Sequence, residues 1–327
     1  MKISEIVARR PRLSVLIVGD ICLDRWCFYD PAEAEPSRET GLPRIGVTTT
    51  EVTPGAGGTI ANNLAAMGVG RIAVLGAIGE DGFGHELRRA LATRGISSDY
   101  LISAPGIQTF TYTKLLNLDS GDEDRPRVDF INNRPLEAAV ERQLLDHLQN
   151  AADTHDIVLV SDQAETSRGG VVTPALRELL AELAPAYPDK LFIADSRARI
   201  DQFRRLILKP NRQEAQAASE KLFGRLDYAA LLRHCETKLL AVTHGGNGVL
   251  LVSEHGERWV PTRKVEKPVD ICGAGDSFCA GFAVALKATG SPVQAAEFGN
   301  LVASVTIMKK GTGTASLQEL LDAHARG

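Results

Sequence analysis

The sequence predicts an α/β fold: one open, mostly parallel sheet with helices on both faces, and a small β-sheet lid. Two observations predict the layers. Short apolar, β-branched runs recur along the chain, and stretches with helical spacing of apolar residues separate most of them, an alternation that places the runs in one parallel sheet. The third observation predicts the lid. Two Thr- and Val-rich stretches interrupt the alternation and read as antiparallel strands.

In chain order, residues 14–19 (SVLIVG) read as a buried parallel strand. Equivalent runs are 71–75 (RIAVL), 156–160 (DIVLV), 191–194 (LFIA), 206–208 (LIL) and 239–242 (LLAV). Helical spacing marks 60–67, 84–94, 135–152, 173–184 and 212–222. The interruptions are 43–53 (PRIGVTTTEVT) and 108–132, the second broken by a polar SGDEDRP turn into a hairpin. Another hairpin is expected over 249–260, around Glu254, His255 and Gly256, followed by helices over 276–289, 291–309 and 316–325. No repeat, low-complexity tract or flexible linker divides the chain. Residues 1–327 are therefore expected to form a single domain, with the lid drawn from about 25–53 and 107–133.

Composition narrows the function. Lys and Arg number 37 against 41 Asp and Glu, a net charge of −4, which disfavours a broad nucleic-acid or anionic-membrane surface. Five scattered cysteines (Cys22, Cys27, Cys235, Cys272 and Cys279) lack the paired spacing of a zinc site and fit a reducing cytosol. Arg9, Arg10 and Arg12 before the apolar run superficially suggest a secretory signal, but Asp20 and Asp24 end the likeness. A cytoplasmic protein without a membrane partner is expected.

The most informative segment is 267–281, KPVDICGAGDSFCAG. Gly273, Ala274 and Gly275 stand where an extended segment becomes an apolar helix, so their N–H groups are expected to converge on an anion. Asp276 follows directly. A carboxylate there suits accepting the proton of a hydroxyl that attacks a phosphoryl group. The plainer alternative is an acidic residue that offsets the helix dipole in its first turn. The longer pattern, Asp270-x-x-Gly273-Ala274-Gly275-Asp276 with Ala280-Gly281 one turn on, resembles the C-terminal signature of the PfkB family of carbohydrate kinases, which includes ribokinase.

That resemblance runs over essentially the whole chain. It implies the ribokinase-like three-layer α/β/α sandwich with a small β lid, and an ATP-dependent kinase acting on a sugar hydroxyl with Mg²⁺. It also allows an activating monovalent cation. Asp276 would be the catalytic base, with Gly273, Ala274 and Gly275 forming the anion site. Gly19-Asp20-x-x-x-Asp24 resembles the family's sugar-binding strand end, so Asp20 and Asp24 are expected to hold hydroxyls; a turn-forming Asp20 and a solvated Asp24 are the alternative. The segment 54–63 resembles the family's N-terminal glycine motif and places Gly55, Gly57, Gly58, Thr59 and Asn63 at the substrate; for Asn63 helix packing stands equally open.

Asn211-x-x-Glu214 resembles the motif that organises Mg²⁺ through its water shell beside the nucleotide, and reads equally as a helix capping box. Residues 243–248 resemble the nucleotide loop, with Thr243, Gly245 and Gly248 at the phosphates, and Asn300 resembles a position beside the adenine.

Within the family, the opening GDICLDRW, the segment 36–39 and the length look most like the kinase of ADP-heptose synthesis, which phosphorylates D-glycero-β-D-manno-heptose 7-phosphate at its anomeric hydroxyl. That kinase is often fused to a nucleotidyltransferase, which this sequence is expected to lack. Three departures stand out: Ala56 where the subfamily has a glycine, Thr59 where it has an asparagine, and 161–166 (SDQAET) where it carries a lysine-bearing loop. Glu165 there is ill-suited to a phosphate, whereas Arg25, Arg38, Arg44, Lys114, Arg127 and Arg197 are candidate cations. Other acceptors, such as ribose, a fructose phosphate or ketodeoxygluconate, remain open. So does a catalytically silent member of the fold. A dinucleotide-dependent oxidoreductase is the rival from another class, weakened by Ile60 at the sixth position of its would-be glycine fingerprint. Pairing of lid-strand edges is expected to give a homodimer.

Overall fold

The computed structural model describes every residue except Ala34, Glu165, Ser167 and Gly327. The chain runs α1 (Ile3–Arg9), β1 (Ser14–Gly19), β2 (Ile21–Tyr29), β3 (Val47–Ala56), α2 (Gly57–Met67), β4 (Arg71–Gly79), α3 (Gly82–Thr93), β5 (Ser97–Ala104), β6 (Thr111–Asn117) and β7 (Val128–Phe130). It continues through α4 (Ala138–Thr154), β8 (Ile157–Asp162), α5 (Pro174–Ala186), β9 (Leu191–Ser196), β10 (Ile207–Leu208), α6 (Arg212–Phe223), α7 (Tyr228–His234) and β11 (Leu240–Thr243). It closes with β12 (Gly248–Ser253), β13 (Gly256–Pro261), α8 (Ala274–Thr289), α9 (Pro292–Thr306) and α10 (Leu317–Ala325).

The main sheet has the order β13-β12-β11-β10-β9-β8-β1-β4-β5. It is parallel except for the β11–β12–β13 hairpins. Strand alternation sends β1 side chains to two cores. Val15 and Ile17 belong to the core that also holds Leu64 of α2, Phe282 of α8 and Val302 of α9, while Leu16 and Val18 belong to the one that holds Leu148 of α4, Leu180 of α5 and Leu231 of α7. Both layers are therefore dry, as a fully covered parallel sheet requires. Helix α8 is buried on nearly all sides, and Gly281 lets α9 approach closely, since a Cβ there would meet Val302 at 2.7 Å.

The lid is a second sheet, β3-β2-β6-β7, and it differs from the expectation in two ways. Its central strand β2 begins at Ile21, ahead of the expected 25, and β3 occupies Val47–Ala56 rather than starting at 43. In addition, β2 pairs with β6 in parallel, because α2, β4, α3 and β5 intervene and bring β6 back in the same direction. The run ICLDRWCFY carries two charges, which hid β2 within a motif read only for its carboxylates. The short helices α1 and α7 and the strand β5 also went unread. Asp20 alone separates β1 of the main sheet from β2 of the lid.

Candidate active site

The chemically suggestive side chains gather at the carboxyl ends of the parallel strands, where open α/β sheets bind ligands. Asp20 follows β1, Asp162 ends β8, Asp195 lies near the end of β9, Lys209 follows β10, and Thr243 ends β11. Above them lies a cleft walled by Asp24, Trp26, Tyr112, Lys114 and Arg127 of the lid side and by Thr59, Arg197, Gly273, Asp276 and Thr312 of the body, with Ala56, Gln163 and Cys272 completing it.

Asp24 and Asp276 thus face one space from opposite layers. Burial pushes the Asp24 carboxyl up to about 7, with Lys114, the Thr312 hydroxyl and Arg127 opposing it. Burial, then the charge of Asp195, lifts Asp276 to about 8, with Lys209 pulling it back. A carboxylate in that range is suited to accept a proton near neutral pH. Asp276 is in the first turn of α8, whose cap, Gly273, is left-handed at φ 74°. A Cβ on Gly273 would lie 3.1 Å from Thr59 and 3.2 Å from Thr312. Of the three N–H groups expected to converge there, that of Ala274 is taken by the Ile271 carbonyl at 3.2 Å. The Gly275 and Asp276 N–H groups lie in the first turn, where an α-helix supplies no acceptor.

Beneath this turn lies an ion pair, Lys209 Nζ to Asp195 Oδ2 at 3.0 Å, both residues buried. Burial alone would depress the Lys209 ammonium, but Asp195 outweighs it and holds the group above its ordinary range. Sequence reasoning passed over both residues; a lysine and an aspartate at successive strand ends were the signal available.

Asn211 caps α6 in a reciprocal box: its Oδ1 accepts the Glu214 N–H at 2.9 Å, and its own N–H donates to Glu214 Oε2 at 2.7 Å. The capping reading is therefore realised. Glu214 is still electrostatically tied to the site, since burial and then Asp195 push it up to about 7. Asn211 bridges Thr243 of the adjoining strand. In the turn that follows, Gly245 and Gly248 have φ 56° and 120°, and a Cβ on Gly248 would lie 2.3 Å from the Val260 carbonyl. Asn300 donates to the Pro261 carbonyl at 3.4 Å, which ties α9 to β13.

The remaining residues divide. Thr59 reaches the cleft, and its buried hydroxyl has no hydrogen-bond partner among the described residues. Asn63 instead donates to the Thr59 carbonyl at 3.1 Å and ties α2 to Gly313, with its own Oδ1 unsatisfied. Gly57 and Gly58 are packing positions, where a Cβ would meet Ile21 at 2.8 Å and Pro54 at 2.5 Å. Asp20 does not face the cleft; its carboxylate accepts three backbone N–H groups. Of the six candidate cations, Lys114, Arg127 and Arg197 line the cleft. Arg25 lies over the Phe83 ring and Arg44 faces Glu35 outside it. Glu165 lies outside the described residues.

Residues 13–319 match the profile of the pfkB family carbohydrate kinases. The chain belongs to that family. Members transfer a phosphoryl group to an alcohol of a sugar. Among its curated relatives, the bifunctional protein HldE of Rhodopseudomonas palustris is 30% identical over 317 residues, covering 95% of this chain and 63% of the relative. HldE of Nitrobacter hamburgensis is 31% identical over 314 residues, covering 94% and 62%. The chain thus spans less than two thirds of the length of these relatives. The chain also superposes on the ribokinase of Thermotoga maritima with a TM-score of 0.70 at 23% identity, over 96% of this chain and 99% of that one. Phosphofructokinase-2 of Escherichia coli, solved with potassium, gives 0.71 at 18% identity over 96% and 99%. The ribokinase-like layers and small lid sheet expected from the sequence are those of these structures.

Proposed function

We propose that this kinase transfers the γ-phosphoryl group of ATP to a sugar that already carries a phosphate, with D-glycero-β-D-manno-heptose 7-phosphate as the first acceptor to test. The observation that carries this reading is the pairing, in one cleft, of two buried carboxylates with three cations. Asp24 accepts hydrogen bonds from sugar hydroxyls. Lys114, Arg127 and Arg197 supply the positive charge that an acceptor phosphate requires. Two of these cations are already near an acid: Lys114 lies 3.2 Å from Glu123 and Arg127 2.7 Å from Asp129, so binding there exchanges partners rather than neutralising isolated charges.

Asp276 takes the proton of the attacking hydroxyl, and the first-turn N–H groups of α8 stabilise charge on the transferred group. Asn211, Thr243, Gly245 and Gly248 border the nucleotide phosphates, and Asn300 the adenine. Among the described residues no three ligand-type side chains gather closely enough to hold a metal directly. The acidic set of Glu214, Asp195 and Asp276 nonetheless suits a hydrated cation, because each carboxylate is raised by the others or by burial. Mg²⁺ bound there through water would neutralise the nucleotide's phosphate charge. Closure of the lid over the cleft would exclude water.

The exposed outer residues of β3, which pairs on one side only, support a homodimer formed by lid edges. Five unpaired cysteines support a reducing, cytoplasmic setting, and no helix among the described residues is long and apolar enough to cross a membrane. The deciding experiment is ADP release with Mg²⁺ across heptose 7-phosphate, fructose phosphates, ribose and ketodeoxygluconate. Turnover confined to unphosphorylated sugars would overturn the sugar-phosphate reading, and light scattering tests the dimer.

A further inference from the structure

Asp20 is 1% exposed, and each of its polar groups is engaged with a different part of the cleft's framework. Its N–H donates to the Ser161 carbonyl of β8 at 2.9 Å, and its carbonyl accepts the Gly57 N–H at the start of α2 at 3.0 Å. Oδ2 accepts the N–H groups of Gln163 and Ala164 at 2.8 and 2.9 Å, and Oδ1 accepts that of Val171 at 2.9 Å. Burial, then neighbouring Asp162, favours its protonated form, and the three donors oppose that.

The same segment is held by its acceptors as well. Arg199 donates to the carbonyls of Ala164 and Thr166, both at 3.2 Å, while its guanidinium is paired with the fully buried Asp162, which also accepts the Ser196 hydroxyl at 2.6 Å. Thr166 in turn donates to the Asn132 carbonyl just beyond β7. Ala164 therefore gives its N–H to a carboxylate and its C=O to a guanidinium. The adjacent Gln163 side chain lines the cleft. Gln163 thereby depends on Asp20 for its place, and Asp24 stands only four residues beyond Asp20, on the strand that Asp20 launches.

We propose that Asp20 is a positioning residue for the acceptor: through one buried carboxylate it locks the segment after β8, and with it Gln163, against the lid strand that carries Asp24. Three charge-assisted hydrogen bonds in a dry site give this lock its stiffness. Asparagine at this position keeps one acceptor oxygen but turns an NH₂ toward backbone N–H donors, so at least one bond is lost. The nucleotide side of the site, built on α6, α8 and the turn after β11, makes none of these contacts.

The kinetic test rests on the kinase reading, and uses the sugar or sugar phosphate that the intact enzyme turns over. Asp20→Asn is expected to raise acceptor KM about tenfold, the cost of one lost hydrogen bond to a charged group, while the KM for ATP stays within about twofold. Gln163→Ala should raise acceptor KM similarly, and the double variant should be little worse than either single one. Independent, multiplicative effects, or an unchanged acceptor KM in a folded Asp20→Asn enzyme, would overturn the proposal. If Asp20→Asn does not fold, Arg199→Lys serves in its place, with the same expectation and the same overturning result. Hydrogen exchange separates this inference from the kinase reading. Asp20→Asn should speed exchange at the Gln163, Ala164 and Val171 amides whether or not any acceptor is phosphorylated, and unchanged protection there would sink the lock alone.

Discussion

Gly55 leaves the space that the Asp24 carboxylate fills: a Cβ built on Gly55 would lie 2.1 Å from Asp24 Oδ1 and 2.5 Å from its Cγ. The two residues sit on neighbouring lid strands, β3 and β2, so glycine is required here by a side chain across the ladder rather than by backbone conformation. Gly55→Ala is therefore expected to swing Asp24 out of its place. Acceptor KM should rise at least about tenfold, as for loss of a hydrogen bond to a charged group, with ATP affinity unchanged. Steady-state kinetics with each substrate varied in turn checks this; equal changes in both KM values would point to general disruption.

On the proposed mechanism Asp276→Asn removes the proton acceptor and little else, since the side chain keeps its size in the first turn of α8. Turnover is expected to fall by about 10²–10⁴, the range for loss of a general base. Nucleotide binding, measured by calorimetry, should stay close to wild type. Near-normal turnover would remove Asp276 from its catalytic role and leave the helix-dipole reading of its position.

The pH dependence follows from the same burial, with opposite signs for activity and stability. A base works only when unprotonated, so with Asp276 at about 8 and Asp24 at about 7, kcat/KM for the acceptor should climb with pH through that interval and level off above it. Stability runs the other way. The folded carboxyl of Asp276 lies above its ordinary 3.8, so the folded state holds more protons across that window and loses stability as pH rises from about 4 to about 8. Asp276→Asn, which cannot ionise, should melt at a higher temperature than wild type at pH 8, with the gap closing toward pH 4. A gap independent of pH would show that the buried charge is not its cause.

Much of this was legible because the signals were local. The run SVLIVG announces a strand buried on both faces, and the glycine-rich turn at Gly273 announces the start of an apolar helix; both depend on a few consecutive residues. The lid was harder. Strand β2 combines an apolar face with Asp24 and Arg25, so its residues read as a motif, and its parallel pairing with β6 depends on a connection of many residues. Asp20 and Asp24 look alike in GDICLD, yet Asp24 faces the cleft while Asp20 binds backbone N–H groups from a segment more than 140 positions away. Sequence separates two such carboxylates only when the partners of each are known. Lys209 and Asp195 illustrate the same limit, since their pairing exists only once β9 and β10 lie side by side.

Ala56 stands at φ 51° and ψ −119°, a backbone conformation that glycine adopts freely and an alanine Cβ opposes. It joins β3 to α2 and lines the cleft, at a position where the subfamily that the sequence resembles carries glycine. The strain of such a residue is on the order of 1–3 kcal/mol, and the extra unfolded-state freedom of glycine returns roughly 0.5–1 kcal/mol of it. Ala56→Gly is accordingly expected to stabilise the protein by about 1 kcal/mol, read as a higher denaturant midpoint at an unchanged slope. The cleft gains only the space of a methyl group, so kcat should be retained. A lower midpoint would mean that the alanine methyl packs well enough against the cleft wall to outweigh its backbone cost, and that the β3–α2 junction is held by side-chain contact rather than tolerated in spite of strain.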